Sequence, residues 1–544
     1  MPLLSTIVWL PIIAAVVLAF FPRSAANAIK GAGLVVSLAI FAISLGILPN
    51  FTDAPGFQLV EHHAWIPQWG ISYSLGVDGI SLWLVLLTTL LTPIVLLSSW
   101  KAIHKYPKEY VISFLVMEAA MIGFFLAMDL VLFYVFFELT LLPMYLVIGV
   151  WGGANRVYAA IKFFLFTITG SLLMLLGIIY VGFKYSEQMP ASFAILDLYG
   201  VSLAPRVATI LFFAFSLAFA IKVPLFPLHT WLPDAHVEAP TGGSIILAAV
   251  MLKMGTYGFV RIVLPMFPGA SLRWAHLLLT LSVIGILYGA LVAWVQPDMK
   301  KLVAYSSVSH LGFCVMGLFA LNQTSIEGSI LQMVNHGLST GALFLLVGVI
   351  YERRHTRLLA DYGGLAATMP VYATFFVIAM LSSVGLPGLN GFVGEFLILA
   401  GTFQTYPVYA VIAAIGVILA AIYLLWLIQK VFYGPITNEE NTKVHDIAWH
   451  EVAALVPLVV LMVWIGVHPS TFLRRMSPSV TQLIATVKQE QPGKVMVTEN
   501  LRARERSARL RDESFAAPRP SGVSPAQHVR HALQHGASIA GGAR

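Results

Sequence analysis

The sequence has little charge and almost no cysteine. Of its 544 residues, 10% are charged and one is a cysteine. Soluble proteins carry about 25% charged residues, so the composition excludes a cytosolic enzyme, a secreted domain and a DNA-binding protein. The net charge of +7 comes from basic residues in short loops and a tail, and we expect no nucleic-acid partner. Cys314 alone cannot form a disulfide or supply a cysteine-ligated iron–sulfur or zinc site.

Long apolar runs take up most of the chain, with 58% hydrophobic residues and a mean hydropathy of +0.84. The runs are continuous rather than alternating, which predicts membrane-spanning helices. We predict an all-α polytopic membrane protein with 14 transmembrane helices, numbered from the N-terminus. They lie near residues 4–22, 31–49, 78–99, 111–127, 129–150, 158–183, 205–226, 240–266, 275–295, 300–320, 327–350, 371–399, 408–433 and 449–468. No basic leader precedes the first run, so we interpret it as a retained helix rather than a signal peptide.

Two of the predicted helices contain residues that interrupt a helix. Pro224 and Pro227 fall in helix 7, and Pro387 falls between glycines in helix 12. Interrupted helices at matching places in two halves are typical of transporters with inverted repeats. Pro387 lies 163 residues after Pro224, and the same offset relates the starts of helices 4 and 9. We therefore predict two inverted five-helix repeats, helices 4–8 and 9–13, with helices 7 and 12 broken.

The predicted division of the chain follows from these repeats. It places helices 1–3 at 1–110, the two repeats at 111–270 and 271–435, and helix 14 with the segment after it at 436–480. The remaining segment, 481–544, is a polar, Arg-rich tail with few large apolar residues, which we predict to be disordered or laid on a surface.

The distribution of Lys and Arg predicts an orientation. These residues concentrate in the loops that follow odd-numbered helices, whereas the long segment 50–77 contains none. By the positive-inside rule, the odd loops face the cytoplasm and both termini face outward. The Arg-rich tail runs against this bias, although long segments can cross a membrane regardless of their charge.

Ionisable residues inside the apolar runs are the candidate functional groups. A charge at the centre of a bilayer costs roughly 2.5–3.5 kcal/mol and marks function by default. The candidates are Glu118, Glu138, Lys222, Lys253 and Glu395, with His310 and His336 beside them. Two alternatives stay open. Glu118 could only bind a neighbouring helix, and the two histidines could be satisfied core imidazoles rather than relay groups.

Polar residues near the ends of the predicted helices are expected to have structural roles. We expect Arg261 to anchor a helix end at an interface, and Asp78, Asp129 and Lys162 to cap helices or reach toward water. His229 and His236 flank a structured loop and are weaker candidates for proton uptake.

A buried acid and a buried amine that approach and separate change each other's proton affinity. We therefore predict that Glu138 and Lys222 form such a pair, which takes up and releases protons as its separation changes. Lys253 and the histidines would provide further steps of a proton relay.

Five motifs carry a resemblance to a known family. They are PLHTWLPDAH at 227–236, EAPT at 238–241, LKMGTYG at 252–258, YSSVSHLG at 305–312 and NHG at 335–337. Together they resemble the antiporter-like subunits of respiratory complex I, over nearly the whole chain up to about residue 475. The resemblance implies 14 helices with the two inverted repeats and a proton channel that uses Glu138, Lys222, Lys253 and Glu395. Glutamate at 395 is typical of one subunit type, whereas sister and Mrp-type antiporter subunits generally carry lysine there.

This resemblance implies a proton-translocating subunit of NADH:quinone oxidoreductase in the bacterial inner (plasma) membrane. Adjacent antiporter-like subunits of the membrane arm and the lipid bilayer would be its partners. NAD, FMN, iron–sulfur clusters and quinone are expected in partner subunits, and no cofactor or metal is expected in this chain. An Mrp-type cation/proton antiporter subunit and the equivalent subunit of a hydrogenase- or ferredoxin-linked complex stay open as alternatives. A haem-binding cytochrome that uses His310 and His336 is disfavoured.

Overall fold

The structure is a computed structural model, and it describes residues 2–489. Within these residues, eleven helices are long and apolar enough to span a bilayer. Three shorter apolar helices, Leu3–Ala19, Leu82–Ser98 and Pro370–Val384, complete a set of fourteen. Each of the fourteen overlaps one of the predicted transmembrane helices, so the all-α polytopic fold is confirmed.

The helices of the first half correspond to predicted helices 1–8 and the segments between them. They are α1 (Leu3–Ala19), α2 (Ala26–Leu45), α3 (Ile47–Asn50), α4 (Leu82–Ser98), α5 (Pro107–Leu126), α6 (Leu130–Leu139), α7 (Leu141–Trp151), α8 (Arg156–Ser186), α9 (Ile195–Leu198), α10 (Pro205–Lys222), α11 (Trp231–Glu238), α12 (Thr241–Ile246), α13 (Leu252–Gly258) and α14 (Leu264–Met266).

The helices of the second half follow the same pattern. They are α15 (Pro268–Trp294), α16 (Met299–Phe319), α17 (Gln323–Arg354), α18 (Leu365–Thr368), α19 (Pro370–Val384), α20 (Asn390–Thr405), α21 (Pro407–Phe432), α22 (Trp449–Val467) and α23 (Ser470–Gln489). Short 3₁₀ segments lie at Pro67–Trp69, Leu359–Asp361 and Glu439–Thr442.

Both predicted helix breaks are present. Helix 7 is interrupted between α10, which ends at Lys222, and α11, which begins at Trp231. Helix 12 is interrupted between α19 and α20, where Gly385 has a φ of +83° that a residue with a side chain rarely adopts. The break in helix 7 leaves a buried helix end at Lys222, whereas the break in helix 12 exposes Leu386, Pro387 and Gly388 at the surface of the protein.

Predicted helix 5 is also divided, which was not predicted. It separates at Thr140 into α6 and α7. Pro143 accounts for the division, because its ring clashes with the carbonyl group four residues earlier, at Leu139. The interruption at Thr140 comes two residues after Glu138.

Predicted helix 8 contains two stretches of π-helix. One covers Leu247–Met251 and the other Phe259–Val263, so that α12, α13 and α14 form one continuous but irregular helix. All residues of this segment from Gly242 to Met266 are buried within the protein. Stretches of π-helix inside α-helices are frequent at functional sites.

A β-hairpin lies in the segment 50–77, where no strand was predicted. Strand β1 (Gln58–Ile66) pairs antiparallel with β2 (Ile71–Val77). The turn ends at Gly70, which has a φ of +68°. A Cβ atom at this position would lie 2.1 Å from the Ala191 carbonyl oxygen, so glycine is required both for the turn and for the close contact.

An amphipathic helix, α23, closes the described part of the chain. Its buried hydrophobic residues follow helical spacing and are Phe472, Met476, Val480, Leu483 and Val487. The helix extends past residue 481, which was the predicted start of the tail. Residues 490–544 of that tail lie outside the described residues, and the predicted division of the chain stays a prediction.

Candidate functional site

Lys253 is held in the irregular part of helix 8. It lies on α13 directly after the π-helical stretch Leu247–Met251 and is fully buried. Its ammonium group donates a hydrogen bond to the Ala248 carbonyl oxygen at 2.5 Å. The same Nζ atom lies 2.6 Å from Nδ1 of His336 on α17. The predicted lysine and one predicted histidine are therefore in direct contact.

His310 and Glu395 form a second buried contact. Nδ1 of His310, on α16, lies 2.7 Å from Oε1 of Glu395, on α20. That carboxylate oxygen also accepts a hydrogen bond from Nε2 of Gln332 at 3.1 Å. On the other side of the ring, Nε2 of His310 lies 3.5 Å from the Tyr423 hydroxyl group. Both His310 and Glu395 are 4% exposed.

These two contacts line up into what we call the central chain, Lys253–His336–His310–Glu395. The ring centroids of His336 and His310 are 5.9 Å apart, a gap that one bridging water molecule can span. Among residues 2–489, Nε2 of His336 and Oε2 of Glu395 have no hydrogen-bond partner. Both atoms are therefore available for a hydrogen bond to a water molecule or to another group.

The central chain has the chemistry of a proton relay. An imidazole can accept a proton on one nitrogen and release another from the second nitrogen. Both histidines use Nδ1 for an ionisable neighbour, Lys253 in one case and Glu395 in the other. The four groups lie on four different helices, α13, α16, α17 and α20, so small helix movements can make or break the contacts between them.

Glu138 and Lys222 lie in a separate region, which we call the Glu138 site. Nζ of Lys222, the last residue of α10, lies 3.5 Å from the Thr140 hydroxyl oxygen. It also lies 5.0 Å from the centre of the Phe137 ring, which precedes Glu138, a distance suited to a cation–π contact. Glu138 Oε1 is buried without a hydrogen-bond partner among the described residues. Thus Lys222 approaches the turn that carries Glu138, but the two make no ion pair within 4.0 Å in the described part of the chain.

Glu118 stands apart from both groups. It is fully buried on α5, and in the chain from 2 to 489 neither carboxylate oxygen has a hydrogen-bond partner. The Thr92 side chain of α4 is its polar neighbour, although the two form no hydrogen bond of ordinary geometry. A buried polar group without a partner is costly, so its retention at this position favours a functional role, which stays a prediction.

The loop histidines are more deeply buried than their loop position implies. His236 is fully buried and stacks on Phe344, with ring centroids 4.5 Å apart. His229 is 3% exposed and stacks on Phe226. Within residues 2–489, neither nitrogen of His236 has a hydrogen-bond partner. A buried imidazole of this kind is a further candidate for a proton pathway.

Two basic side chains that were not among the predicted site residues form hydrogen bonds at the C-terminal end of α11. Lys300, 6% exposed, donates to the Ala239 carbonyl oxygen at 2.5 Å. Arg357 donates to the Val237 carbonyl oxygen at 2.6 Å. Basic side chains are favoured at this end of a helix because its last carbonyl groups have no helical partner. Lys300 belongs to a predicted loop rich in basic residues, and nothing in the sequence indicates that its side chain is buried.

Arg261 is not the interface anchor that was expected. It forms a buried ion pair with Asp78 at 2.6 Å, with the two side chains 7% and 4% exposed. Asp78 therefore pairs inside the protein rather than reaching toward water. Lys162 pairs with Asp234 at 2.6 Å. The expected capping role holds for Asp129, which accepts hydrogen bonds from the first backbone amides of α6.

Two further members of the site were missed. Gln332 precedes His336 by one helical turn, so the spacing alone could have placed it on the same helix face. Tyr423 had no such signal, because its contact with His310 spans 113 positions of the sequence. Across residues 2–489, no cluster of three or more His, Cys, Asp or Glu side chains could hold a metal ion.

Two family models match consecutive parts of the chain. The model described as "NADH:quinone oxidoreductase/Mrp antiporter, TM" matches residues 127–422. The model described as "NADH-ubiquinone oxidoreductase chain 4, amino terminus" matches residues 8–128. The matched region includes every residue of the central chain and of the Glu138 site.

Similar proteins are found both by sequence and by structure. NADH-quinone oxidoreductase subunit M of Rhodobacter capsulatus is 48% identical, over 89% of this chain and 96% of that protein. A chain of respiratory complex I from Thermus thermophilus is 33% identical and has a TM-score of 0.81, covering 89% of this chain and 99% of that one. A chain of the Mrp complex from Dietzia sp. shares the fold, with 21% identity and a TM-score of 0.78 over 90% and 100% of the two chains.

Proposed function

The chain belongs to the family of antiporter-like membrane subunits shared by NADH:quinone oxidoreductase and Mrp antiporters, and we propose that it is a proton-translocating subunit of the membrane arm of NADH:quinone oxidoreductase. Membership of the family does not by itself identify the energy source, because the family includes both redox-driven and gradient-driven members. The relative at 48% identity is named as a subunit of the oxidoreductase, which favours the redox-driven function.

One observation carries the proposal: the buried contacts Lys253–His336 at 2.6 Å and His310–Glu395 at 2.7 Å, with the centroids of the two imidazole rings 5.9 Å apart. Ionisable groups are expensive inside a membrane protein and are kept where they serve a pathway. Packing of the helices against one another does not require four ionisable groups in a row on four different helices.

We propose that protons move along the central chain by alternate use of the two imidazole nitrogens. The Lys253 ammonium group gives a proton to Nδ1 of His336, which releases the proton held on Nε2. A water molecule passes that proton to His310, and Nδ1 of His310 delivers a proton to the Glu395 carboxylate. Lys253 then takes up a new proton, and each transfer leaves the same number of protons on the two histidines.

The Glu138 site is proposed to couple this relay to neighbouring subunits. Lys222 ends a helix at a break, and Glu138 precedes a second break at Thr140. Helix ends at breaks can shift without moving a whole helix. Movement of Lys222 from the Thr140 hydroxyl group toward the Glu138 carboxylate would form the predicted pair, and reversal would separate it. Glu118 is proposed as a further ionisable group of the same half of the protein.

Partners and location complete the proposal. NAD, FMN, iron–sulfur clusters and quinone would be bound by other subunits of the complex, and this chain would contact adjacent antiporter-like subunits in the bacterial inner membrane. The odd-numbered loops would face the cytoplasm and both termini the outside. Redox energy from the partner subunits would then drive protons through this chain.

The test is NADH-driven proton uptake by the assembled complex in proteoliposomes, measured beside NADH:quinone electron transfer. His336→Ala and Lys253→Ala remove adjacent members of the central chain, and we expect each to reduce pumping severely. Exposed residues of the same types provide matched controls, His276→Ala and Lys430→Ala. Normal pumping by either relay variant, in a complex that assembles fully, would contradict the central chain.

The Glu138 site needs its own variants. Glu138→Gln and Lys222→Ala should each reduce pumping severely, with electron transfer reduced alongside because the two processes are coupled. Glu187, an exposed residue paired with Lys184, gives the control Glu187→Gln. If Glu138→Gln pumps normally, the pair hypothesis is wrong even when the central chain is correct.

An Mrp-type antiporter subunit is the second candidate, because the matching family model covers both classes. The two functions differ in their energy source. Sodium-dependent exchange by this chain without redox partners would favour the antiporter, whereas pumping that requires NADH and is insensitive to sodium would favour the oxidoreductase.

A further inference from the structure

A long apolar groove lies on the surface of the protein between α2, α4 and α22. Its volume is about 490 Å³. Along one wall it extends from Trp83 to Leu97, and along another from Ala453 to Ile465. At 1.5 Å per residue, each wall is about 20 Å long, or two thirds of a hydrocarbon core of roughly 30 Å. The groove is open to the outside, since Leu38 and Val460 on its rim are about half exposed, at 49% and 55%.

The groove changes character at one end. Its walls are aliphatic and aromatic along their length, and the polar side chains of Thr471 and Arg475 meet it where α23 crosses. These two residues are one helical turn apart on the same face of α23. Trp83 and Trp464 line the same end, as is typical of side chains at the boundary between hydrocarbon and lipid headgroups.

Arg475 is available to bind an anion. Its guanidinium carbon lies 5.8 Å from the centre of the Trp83 ring. Within residues 2–489 it has no carboxylate within 4.0 Å, whereas the adjacent Arg474 pairs with Asp53 at 2.8 Å. A guanidinium group binds phosphate through two parallel hydrogen bonds, and the Thr471 hydroxyl group lies beside it on the helix.

We infer that the groove is a binding site for a phospholipid, with acyl chains between α2, α4 and α22 and the phosphate on Arg475 and Thr471. An acyl chain is apolar and long enough to lie along the walls of the groove, and the negative charge of the phosphate complements the positive charge of Arg475 at its end. A transmembrane helix of another subunit would match the walls but leaves the arginine without an anion. The combination of a long apolar wall with one terminal cation therefore favours a lipid.

The test uses the assembled complex in proteoliposomes that contain phosphatidylglycerol with a photoreactive diazirine in one acyl chain. After illumination, mass spectrometry should find the lipid attached to peptides from α2, α4 and α22. Arg475→Ala should reduce this labelling about tenfold, as expected for loss of a charged hydrogen bond, and Arg475→Lys should restore part of it. Leu38→Trp, at the exposed rim, should also reduce labelling by narrowing the groove.

Arg474→Ala is the matched control, because it removes the same charge from the neighbouring position on α23. It should leave labelling unchanged. Equal labelling of Arg475→Ala and the unmodified protein, or an equal loss in Arg474→Ala, would overturn the proposal.

A second measurement tests for a protein occupant. The chain's single cysteine, Cys314, is buried, so Leu38→Cys introduces one accessible thiol. We expect a cross-linker that carries a maleimide at one end and a photoreactive diazirine at the other to react with this thiol but to leave the variant unlinked to other subunits. Cross-linking of position 38 to a neighbouring subunit in most complexes would show that protein fills the groove, and the lipid assignment would fail.

Discussion

Replacement of Asp78 by asparagine removes the charge that faces the buried Arg261 guanidinium group. Asp78 Oδ1 also accepts hydrogen bonds from the backbone amides of Ile80 and Ser81. Asparagine keeps an oxygen for these bonds, so the substitution isolates the charge. With the two side chains 7% and 4% exposed, water cannot replace the lost partner. Removal of one partner from a buried ion pair costs about 3–5 kcal/mol, which is the loss of stability that we expect.

The double variant gives the sharper measurement. Arg261→Met alone leaves Asp78 buried without its cation and should cost about 3–5 kcal/mol. When both changes are combined, no charge is left unpaired, so the cost should be close to that of one single variant rather than the sum of both. Arg261 also donates to the Tyr257 hydroxyl group at 3.0 Å, a contact that is lost in both Arg261 variants and cancels from the comparison.

The measurement is unfolding of the purified chain by SDS in mixed micelles, followed by far-UV circular dichroism, for the unmodified protein and the three variants. Exposed Arg23, which pairs with Glu109, provides a control pair whose removal should cost no more than about 1 kcal/mol. Costs of the two single changes that simply add in the double variant would refute the argument, because additivity means that the two side chains do not stabilise each other.

Other predictions concern the central chain and a helix cap. Glu395→Gln should reduce proton pumping in the proteoliposome assay while the complex still assembles, because the amide keeps the hydrogen bonds of the site but cannot carry the proton delivered by His310. Unchanged pumping would remove Glu395 from the relay. Asp129→Ala should destabilise the chain by about 1–2 kcal/mol in the SDS titration, because it removes the cap of α6 and the bond to the Ser72 amide. A change below about 0.3 kcal/mol would contradict that role.

The parts of the fold that follow from hydrophobicity and from proline could be predicted from the sequence. All fourteen helices were located because a continuous apolar run of this length is rarely anything but a membrane-spanning helix. The breaks in helices 7 and 12 were predicted because proline and glycine have local effects on the backbone. By contrast, the break at Thr140 was missed although Pro143 was visible, since a proline within a helix more often bends it than divides it.

The site could be predicted residue by residue but not as an arrangement. Each ionisable group stood out in an apolar run, yet His310 and Glu395 are 85 positions apart in the sequence and Lys253 and His336 are 83 apart. Which group contacts which depends on helix packing, and one sequence does not reveal it. The pairing of Glu138 with Lys222 illustrates the point, because the structure brings Lys222 to Thr140 rather than into an ion pair.

The stretch of π-helix at Leu247–Met251 affects how this part of the chain tolerates changes in length. Such a stretch holds one residue more than the regular turn that it replaces. Deletion of one residue within 247–251 can therefore convert it to ordinary α-helix while the segments before and after keep their positions. The same deletion in a regular helix such as α8 would rotate all later side chains by about 100°. Related chains that are one residue shorter at this point can thus keep the lysine in the same place.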